Sequence, residues 1–275
     1  MKYDELVDML GHAGSAEPES EAFILLSHYF KASKAEIVAF RERDYNTDTL
    51  NEAIKRRSFG EPIQYITGVA DFFGLEFRVS PDCLIPRFDT EVLCEELIKR
   101  LPEGARFIEF CTGSGCIPIA VIKSRPDVSC ETVELFPKTA AVAAENREHH
   151  CIPPDKLKIT VGDALNFSVD GLEGAYDAIV SNPPYIPTRD VDTLSREVKR
   201  EPRAALDGGE DGMIFYNKFV SDYACALNPD GFFAFEIGFD QAEAIRALGE
   251  SEGFEVETIR DLGGRDRVAI LKKNH

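Results

Sequence analysis

Apolar and polar positions alternate differently in the two parts of this chain. Up to about residue 60, apolar side chains recur three and four positions apart, which is the spacing of one helical face. Phe23, Leu26 and Phe30 are an example, and a Pro-Glu-Ser start signal precedes them. Helices are predicted at 21–30, 34–40 and 49–58. We therefore expect residues 1–60 to form a small helical domain.

From residue 106 the pattern changes to short apolar strands that alternate with amphipathic helices. Strands are predicted at 106–110, 130–134, 157–161, 176–181, 231–237, 255–260 and 267–272. Helices are predicted at 117–124, 138–149, 212–227 and 240–252. Repeated strand–helix units indicate an α/β fold with a mainly parallel sheet. The last two strands are joined by a link too short for a parallel crossover, so this pair should be antiparallel.

A short segment with strand character lies between these parts. Residues 72–79 alternate around Gly74, which predicts a hairpin of two short strands. An amphipathic helix is predicted from Thr90 to about Arg100. The expected organisation is a helical domain at 1–60, a β-hairpin linker at 61–84 and an α/β domain at 85–275.

Composition and charge narrow the possible partners. The chain has 275 residues, of which 44% are hydrophobic, and a formal net charge of −18. Such acidity argues against broad contact with phosphate backbones, so we expect no binding of duplex nucleic acid. A small molecule, or a protein with a basic surface, is a better match. No apolar run reaches the roughly 18 residues of a membrane span, and the N-terminus lacks a signal peptide's apolar core. We expect a cytoplasmic protein with no membrane partner.

The seven cysteines offer no obvious ligand set. None of them forms a C-x-x-C pair, so their spacing predicts neither a zinc site nor a disulfide framework. We expect reduced, mostly buried thiols and no metal.

The most informative motif follows the strand at 176–181. It reads Asn182-Pro183-Pro184-Tyr185. The two prolines remove two backbone donors, so the Asn182 side-chain oxygen and the Pro183 carbonyl remain as neighbouring acceptors. With the Tyr185 ring as a flat wall, they form a socket for a planar group that carries an NH2, such as a carboxamide or a base amine. A proline-rich turn without a ligand is the alternative.

A glycine-containing loop follows the strand at 106–110. It reads Cys111-Thr112-Gly113-Ser114-Gly115, and its two glycines permit a tight turn and the close approach of a ligand. Pro118 occupies the third glycine position of a dinucleotide motif, and no G-K-S/T follows. Dinucleotide and triphosphate ligands are therefore disfavoured.

Two carboxylates follow the next strands. Glu134 ends one strand, where it could hold ribose hydroxyls, and Asp163-Ala164 follows another, where the acid could meet an adenine amine. A nucleoside without phosphate, near an amide socket, points to S-adenosylmethionine. Solvated charges at strand ends are the alternative for both acids.

Six segments together resemble the bacterial glutamine methyltransferases that modify peptide chain release factors. They are R-x-x-x-E-P-I-Q-Y-I-T-G at 57–68, I-P-R-F-D-T-E at 85–91, C-T-G-S-G-C-I at 111–117, S-N-P-P-Y-I at 181–186, E-P-x-x-A-L at 201–206 and D-L-G-G-R-D-R-V at 261–268. N-P-P-Y alone is shared with amino-directed DNA and RNA methyltransferases. The combination is much more specific, and it covers nearly the whole chain.

The resemblance implies a class I (Rossmann-like) methyltransferase sheet and a helical domain that helps to dock a protein substrate. It implies S-adenosylmethionine as cofactor, bound by Cys111, Thr112, Gly113, Ser114, Gly115, Glu134, Asp163, Ala164 and Asn182. It implies the glutamine of a release factor's Gly-Gly-Gln loop as substrate, bound by Asn182, Pro183, Pro184, Tyr185, Arg87, Thr90 and Glu91. Asn182, Pro183 and Tyr185 would be the catalytic residues.

The sequence departs from the family pattern at two positions. Glu109 stands where aspartate is usual, and its longer side chain would change the distance from the carboxylate to the amino group of the cofactor. Cys111 stands where glycine is frequent, and we expect it to avoid any backbone conformation that only glycine tolerates. The stretch 187–211 lacks periodicity and contains five cationic residues, so it is either a basic strip that meets the substrate or a solvated lid.

Three other functions remain open. An amino methyltransferase acting on adenine or guanine in DNA or RNA would use the same socket on an exposed base. A glutamine methyltransferase of a ribosomal protein would differ only in its docking partner. A binding protein that kept the fold without the chemistry is the third.

Overall fold

The computed structural model describes residues 1–273, which form two compact units. The helical unit comprises Met1–Val69 and Leu194–Arg200, and the sheet unit comprises Ala70–Thr193 and the residues from Glu201 onward. No helix within residues 1–273 is both long enough and apolar enough to cross a bilayer. All seven cysteines are free.

The helical unit contains five helices in its N-terminal part. They are α1 (Tyr3–His12), α2 (Pro18–Phe30), α3 (Lys34–Ala39), α4 (Asp48–Ser58) and α5 (Ile63–Thr67). The Ser33 side chain accepts the Glu36 N–H at the start of α3, and Thr47 accepts the Leu50 N–H at the start of α4, so both helices begin at a capping residue. Apolar faces of these helices form one core that includes Leu6, Leu25, Leu26, Ile37 and Leu50.

Residues 194–200 pack within the helical unit through polar contacts. Arg57 is 3% exposed, and its guanidinium donates to Glu21 at 2.8 and 3.0 Å and to Glu197 at 3.1 Å. Arg196 donates to the Ala13 carbonyl, and other cations of the stretch 187–211 are similarly engaged: Arg200 donates to the Phe59 carbonyl at 2.8 Å and Arg203 to Asp192 at 2.7 Å. These cations are therefore used within the chain, which weakens the interpretation of the stretch as a free basic strip.

The sheet unit contains a seven-stranded sheet and a two-stranded hairpin, of which only the first residue, Val69, is counted with the helical unit. The hairpin strands are β1 (Val69–Phe72) and β2 (Leu75–Arg78). The sheet strands are β3 (Arg106–Phe110), β4 (Ser129–Glu134), β5 (Leu157–Val161), β6 (Tyr176–Ser181), β7 (Leu227–Glu236), β8 (Phe254–Arg260) and β9 (Asp266–Lys273). The helices are α6 (Glu91–Arg100), α7 (Cys116–Ser124), α8 (Pro137–His149), α9 (Thr188–Val191), α10 (Ile214–Asp222) and α11 (Ala242–Ser251).

The strand order is β5-β4-β3-β6-β7-β9-β8, and β9 runs antiparallel to both of its neighbours, β7 and β8. The predicted α/β fold, with a mostly parallel sheet and an antiparallel C-terminal strand, is confirmed. The insertion of β9 between β7 and β8 was not predicted. Helices cover both faces, and two apolar clusters pack there, one around Phe107 and one around Phe110.

The sheet brings the polar strand ends together. Phe110 is in register with Val133 of β4 and with Ser181 of β6, and Ser181 is in register with Phe235 of β7. The segments that follow these four parallel strands therefore leave the sheet at the same edge. Since β3 pairs with β4 on one side and β6 on the other, the chain reverses its direction of sheet growth here, where α/β folds bind ligands.

Candidate active site

A cavity of about 240 Å³ lies at this edge of the sheet. Its lining residues come from the segments 82–90, 111–117, 133–139, 163–165, 182–184 and 202–205, and from Phe215. The loops after β3, β4, β5 and β6 thus contribute to one site, together with residues that precede α6. The lining includes Cys111, Thr112, Gly113, Ser114, Glu134, Asp163, Ala164, Asn182, Pro184, Arg87 and Thr90.

The loop after β3 contains a strained cysteine. Cys111 has φ +61°, which lies in the left-handed region that favours glycine but that other residues also adopt at a cost. An L-residue enters this region at a cost of about 1 kcal/mol, and the Cys111 N–H donates to the Val133 carbonyl at 2.9 Å. Gly113 also has positive φ, and a Cβ there would meet nothing within 4 Å, so the space above the loop is open. Gly115 is the N-cap residue of α7 and does not line the cavity.

Glu109 lies under this loop rather than in the cavity wall. It is 1% exposed, and its carboxyl group is hydrogen-bonded to the Thr112 hydroxyl. Burial raises the pKa of Glu109 to about 8, against the opposing effect of that hydrogen bond. Glu109 therefore carries a proton at neutral pH and supports Thr112, which does line the cavity.

Glu134 and Asp163 both face the cavity, and their pKa values are shifted in opposite directions. The Glu134 carboxylate accepts the N–H groups of Gly113 and Phe136, each at 3.1 Å, and burial raises its pKa. Asp163 accepts from the Asn166 side chain at 2.7 Å and from the Leu165 N–H at 2.9 Å, and the hydrogen bond from Asn166 holds the pKa of Asp163 below its ordinary value. Each Glu134 oxygen accepts one backbone N–H and so retains a lone pair.

The Asn182 side chain is held by a hydrogen-bonded chain from two other elements. Its Nδ2 donates to Thr90 Oγ1 at 3.3 Å, and Thr90 Oγ1 donates to Glu236 Oε2 at 2.5 Å. Glu236 is 1% exposed at the end of β7, and burial raises its pKa. The Tyr185 hydroxyl donates to Glu236 Oε1 at 3.3 Å. Tyr185 is therefore turned toward Glu236 and does not line the cavity.

Of the remaining residues predicted for the site, two line the cavity and two lie outside its lining. Arg87 lines the cavity and pairs with buried Glu201. Pro184 lines it too, whereas Pro183 is buried outside the lining set. Glu91 also lies outside that set: its carboxylate accepts the Phe73 N–H at 2.7 Å, so it stabilises the turn between β1 and β2.

Sequence reasoning missed three residues that shape the site. Glu236 ends the apolar run Phe-Phe-Ala-Phe, and a lone acid in such a buried strand was the available signal. Glu201 also accepts the Ile85 N–H at 3.0 Å. A Cβ at Gly208 would lie 2.6 Å from the Pro184 carbonyl, so only glycine lets the stretch 187–211 pack there.

Among residues 1–273, no group of three or more His, Cys, Asp or Glu side chains is placed to hold a metal.

Family models match both parts of the chain. Residues 3–68 match the model of the PrmC N-terminal domain, and residues 88–228 match the model of the methyltransferase small domain.

Individual relatives extend these matches. A release factor glutamine methyltransferase of Geobacter sulfurreducens is 42% identical over 217 residues, which cover 78% of this chain and 74% of that protein. One from Caulobacter vibrioides is 36% identical over 277 residues, with 97% and 93% covered. A crystal structure of a methyltransferase from Pyrococcus furiosus covers 74% of this chain and 91% of its own, with a TM-score of 0.56 and 20% identity, and so shows a shared fold.

Proposed function

The chain belongs to the release factor glutamine methyltransferase family, and on this premise we propose that it methylates the side-chain amide nitrogen of the glutamine in the Gly-Gly-Gln loop of a peptide chain release factor. The methyl donor would be S-adenosylmethionine. One observation carries the proposal. Asn182, held through its Nδ2 by Thr90, lines the same cavity as the glycine loop and Glu134.

The cavity residues fit a nucleoside that bears an amino acid chain. Open space above Gly113 leaves room for the chain, and Glu134 retains lone pairs for ribose hydroxyls. Val133, Leu135 and Phe136 supply apolar surface for a base. Asp163 has two acceptor oxygens that an adenine amine could share with the donors already bound.

The protein's chemical task is to align a weak nucleophile. When bound, S-adenosylmethionine supplies an electrophilic methyl group on a positively charged sulfur. An amide nitrogen is a poor nucleophile because its lone pair is delocalised into the carbonyl. Asn182 Oδ1 and the Pro183 carbonyl would each accept one N–H of the glutamine, which directs the nitrogen lone pair toward the methyl carbon.

The same two acceptors would stabilise the positive charge that develops on nitrogen as the new N–C bond forms and the C–S bond breaks. The sulfur of the methyl donor would keep the electron pair of the broken C–S bond. An N–H proton of the amide would become acidic only after the methyl group has been transferred, and it would then pass to water, so no strong general base is needed. Asn182, Pro183 and, through Glu236, Tyr185 would therefore act by orientation.

The helical unit would help to dock the release factor. It matches the PrmC N-terminal domain, and it exposes the apolar side chains of Val38, Phe40 and Phe59. Replacing Phe40 and Phe59 together by alanine should raise the KM for an intact release factor and leave the rate with a short Gly-Gly-Gln peptide unchanged. An equal loss with both substrates would argue against docking by these side chains.

Mass spectrometry tests the reaction directly. A release factor incubated with the enzyme and S-adenosylmethionine should gain one methyl group on the glutamine of its Gly-Gly-Gln peptide. Asn182→Ala should lower the turnover by roughly 10²–10³ while the cofactor affinity stays within a few-fold. Methylation of DNA, RNA or a ribosomal protein in parallel assays, with the release factor unmodified, would refute the proposal.

A further inference from the structure

We propose that Glu236 and Thr90 are positioning residues that determine which end of the Asn182 amide faces the substrate. The inference rests on the proposed function, since it concerns the acceptor that would hold the substrate glutamine. Glu236 is a buried acid at the end of β7, and in this role it acts through Thr90.

Glu236 sets the donor-to-acceptor direction of the hydrogen bonds that lead from it through Thr90 to Asn182. Its Oε2 accepts the hydrogen bond from Thr90, whose hydroxyl has one proton to donate. Glu236 Oε2 lies 2.5 Å from Thr90 Oγ1, so the single hydroxyl proton of Thr90 is committed to the carboxylate. Thr90 Oγ1 then has only lone pairs left. Its other neighbour, the Asn182 amide at 3.3 Å, must therefore present its N–H end.

This constraint leaves Asn182 Oδ1 available as an acceptor. No hydrogen bond of Oδ1 is found among residues 1–273, and Asn182 is a lining residue of the cavity. If the Thr90 hydroxyl were free to rotate, it could donate to Oδ1 instead, and the amide would turn over. The Asn182 NH2 would then meet the NH2 of the glutamine, donor against donor, and the socket would not form.

A purely stabilising role does not account well for Glu236. Burial of a carboxylate is unfavourable, and replacement of buried ionic groups by apolar residues is often neutral or stabilising. Glu236 nevertheless lies buried at this position, among suitable partners. Tyr185 and Thr90 donate to it, and Arg267, 8% exposed and paired with Asp89 at 3.2 Å, provides a nearby positive charge.

Hydroxyl variants of Thr90 test the chain of hydrogen bonds. Thr90→Val keeps the shape but removes the hydroxyl, and it should lower kcat by roughly 10²-fold with cofactor affinity within a few-fold by calorimetry. Thr90→Ser is the matched control and should stay within about threefold of the wild-type rate, since it keeps the hydroxyl. Equal losses in both variants, or wild-type activity in Thr90→Val, would overturn the proposal.

A double-mutant cycle separates positioning from structure. Glu236→Met should lower kcat about as much as Thr90→Val does, but in an Asn182→Ala background it should cost less than about threefold more, because the acid acts only through Asn182. Additive losses would mean that Glu236 acts elsewhere. Should Glu236→Met fail to fold, Thr90→Val takes its place in the cycle.

A spectroscopic measurement keeps this inference separate from the proposed function. In ¹H–¹⁵N NMR spectra of the wild-type protein, one Asn182 side-chain amide proton should exchange slowly with solvent, and this protection should persist in Thr90→Ser and vanish in Thr90→Val. Absence of methylation by the wild type would refute the proposed function alone. Absence of this protection in the wild type would refute the positioning role, whatever the enzyme methylates.

Discussion

The stability of Glu109→Gln relative to the wild type should increase as the pH rises. Glu109 is 1% exposed, and burial raises its pKa from 4.5 to about 8. In the unfolded chain the carboxyl group ionises near its ordinary value, so between these two pH values the folded state holds a proton that the unfolded state releases. Glutamine at this position keeps a hydrogen-bonding group for Thr112 and does not titrate.

The sign and size follow from proton linkage. Because the folded state binds more protons, the free energy of unfolding falls as the pH rises. The favourable contribution of neutral Glu109 is fully present below about pH 4.5 and is lost as the pH rises to about 8. At roughly 1.4 kcal/mol per unit of pKa, the difference of about 3.5 between the two pKa values corresponds to about 5 kcal/mol over the whole window.

Urea unfolding of the cofactor-free protein at pH 5, 6, 7 and 8 measures this effect. The difference in unfolding free energy between Glu109→Gln and the wild type should shift in favour of the variant by roughly 1.4 kcal/mol per pH unit. Glu145→Gln is the control, because the Glu145 side chain is 57% exposed, and its difference should stay nearly constant. A Glu109→Gln difference that is independent of pH, or that favours the wild type as the pH rises, would refute the reasoning.

Three further predictions concern other features. Glu134→Ala should weaken S-adenosylmethionine binding by at least tenfold, since the ribose acceptors are lost, and unchanged affinity in calorimetry would remove Glu134 from the site. Cys111→Gly should change the unfolding free energy by less than about 1 kcal/mol, whereas Cys111→Val should cost about 2 kcal/mol or more, because a branched side chain tolerates φ +61° poorly; equal urea midpoints would contradict this. Arg57→Met leaves Glu21 and Glu197 without their shared cation and should lower the free energy of unfolding by about 3 kcal/mol in thermal unfolding. A loss below about 1 kcal/mol would contradict this prediction.

The secondary structure was predictable because the chain repeats local signals. The strand at 106–110 was predicted with its observed bounds, and the predicted helix at 138–149 differs by one residue from α8. The single-turn helix α5 was missed because five residues are too few to show a helical period. The predicted helix 212–227 is shorter in the structure, where α10 ends at Asp222.

The site was predictable where a motif follows a strand of the sheet. The loop at 111–115 and Asn182 each follow a parallel strand, Glu134 ends a third, and the sheet order brings these three strand ends to one edge. Roles that depend on side-chain direction were not predictable. Glu91 lies in a motif with Thr90, yet its carboxylate accepts a hydrogen bond from the hairpin turn. Neighbours in sequence can therefore serve different parts of the structure.

The sequence by itself determined the α/β class, the family and the two acceptors of the N-P-P-Y motif, because periodicity and motif spacing are local properties of the chain. Only the tertiary structure decided the insertion of β9, the left-handed backbone at Cys111 and the placement of Glu236. Thr90, Asn182 and Glu236 are far apart in the chain, and a hydrogen bond between such residues exists only after the sheet has brought them together. The direction of the Asn182 amide follows from those contacts.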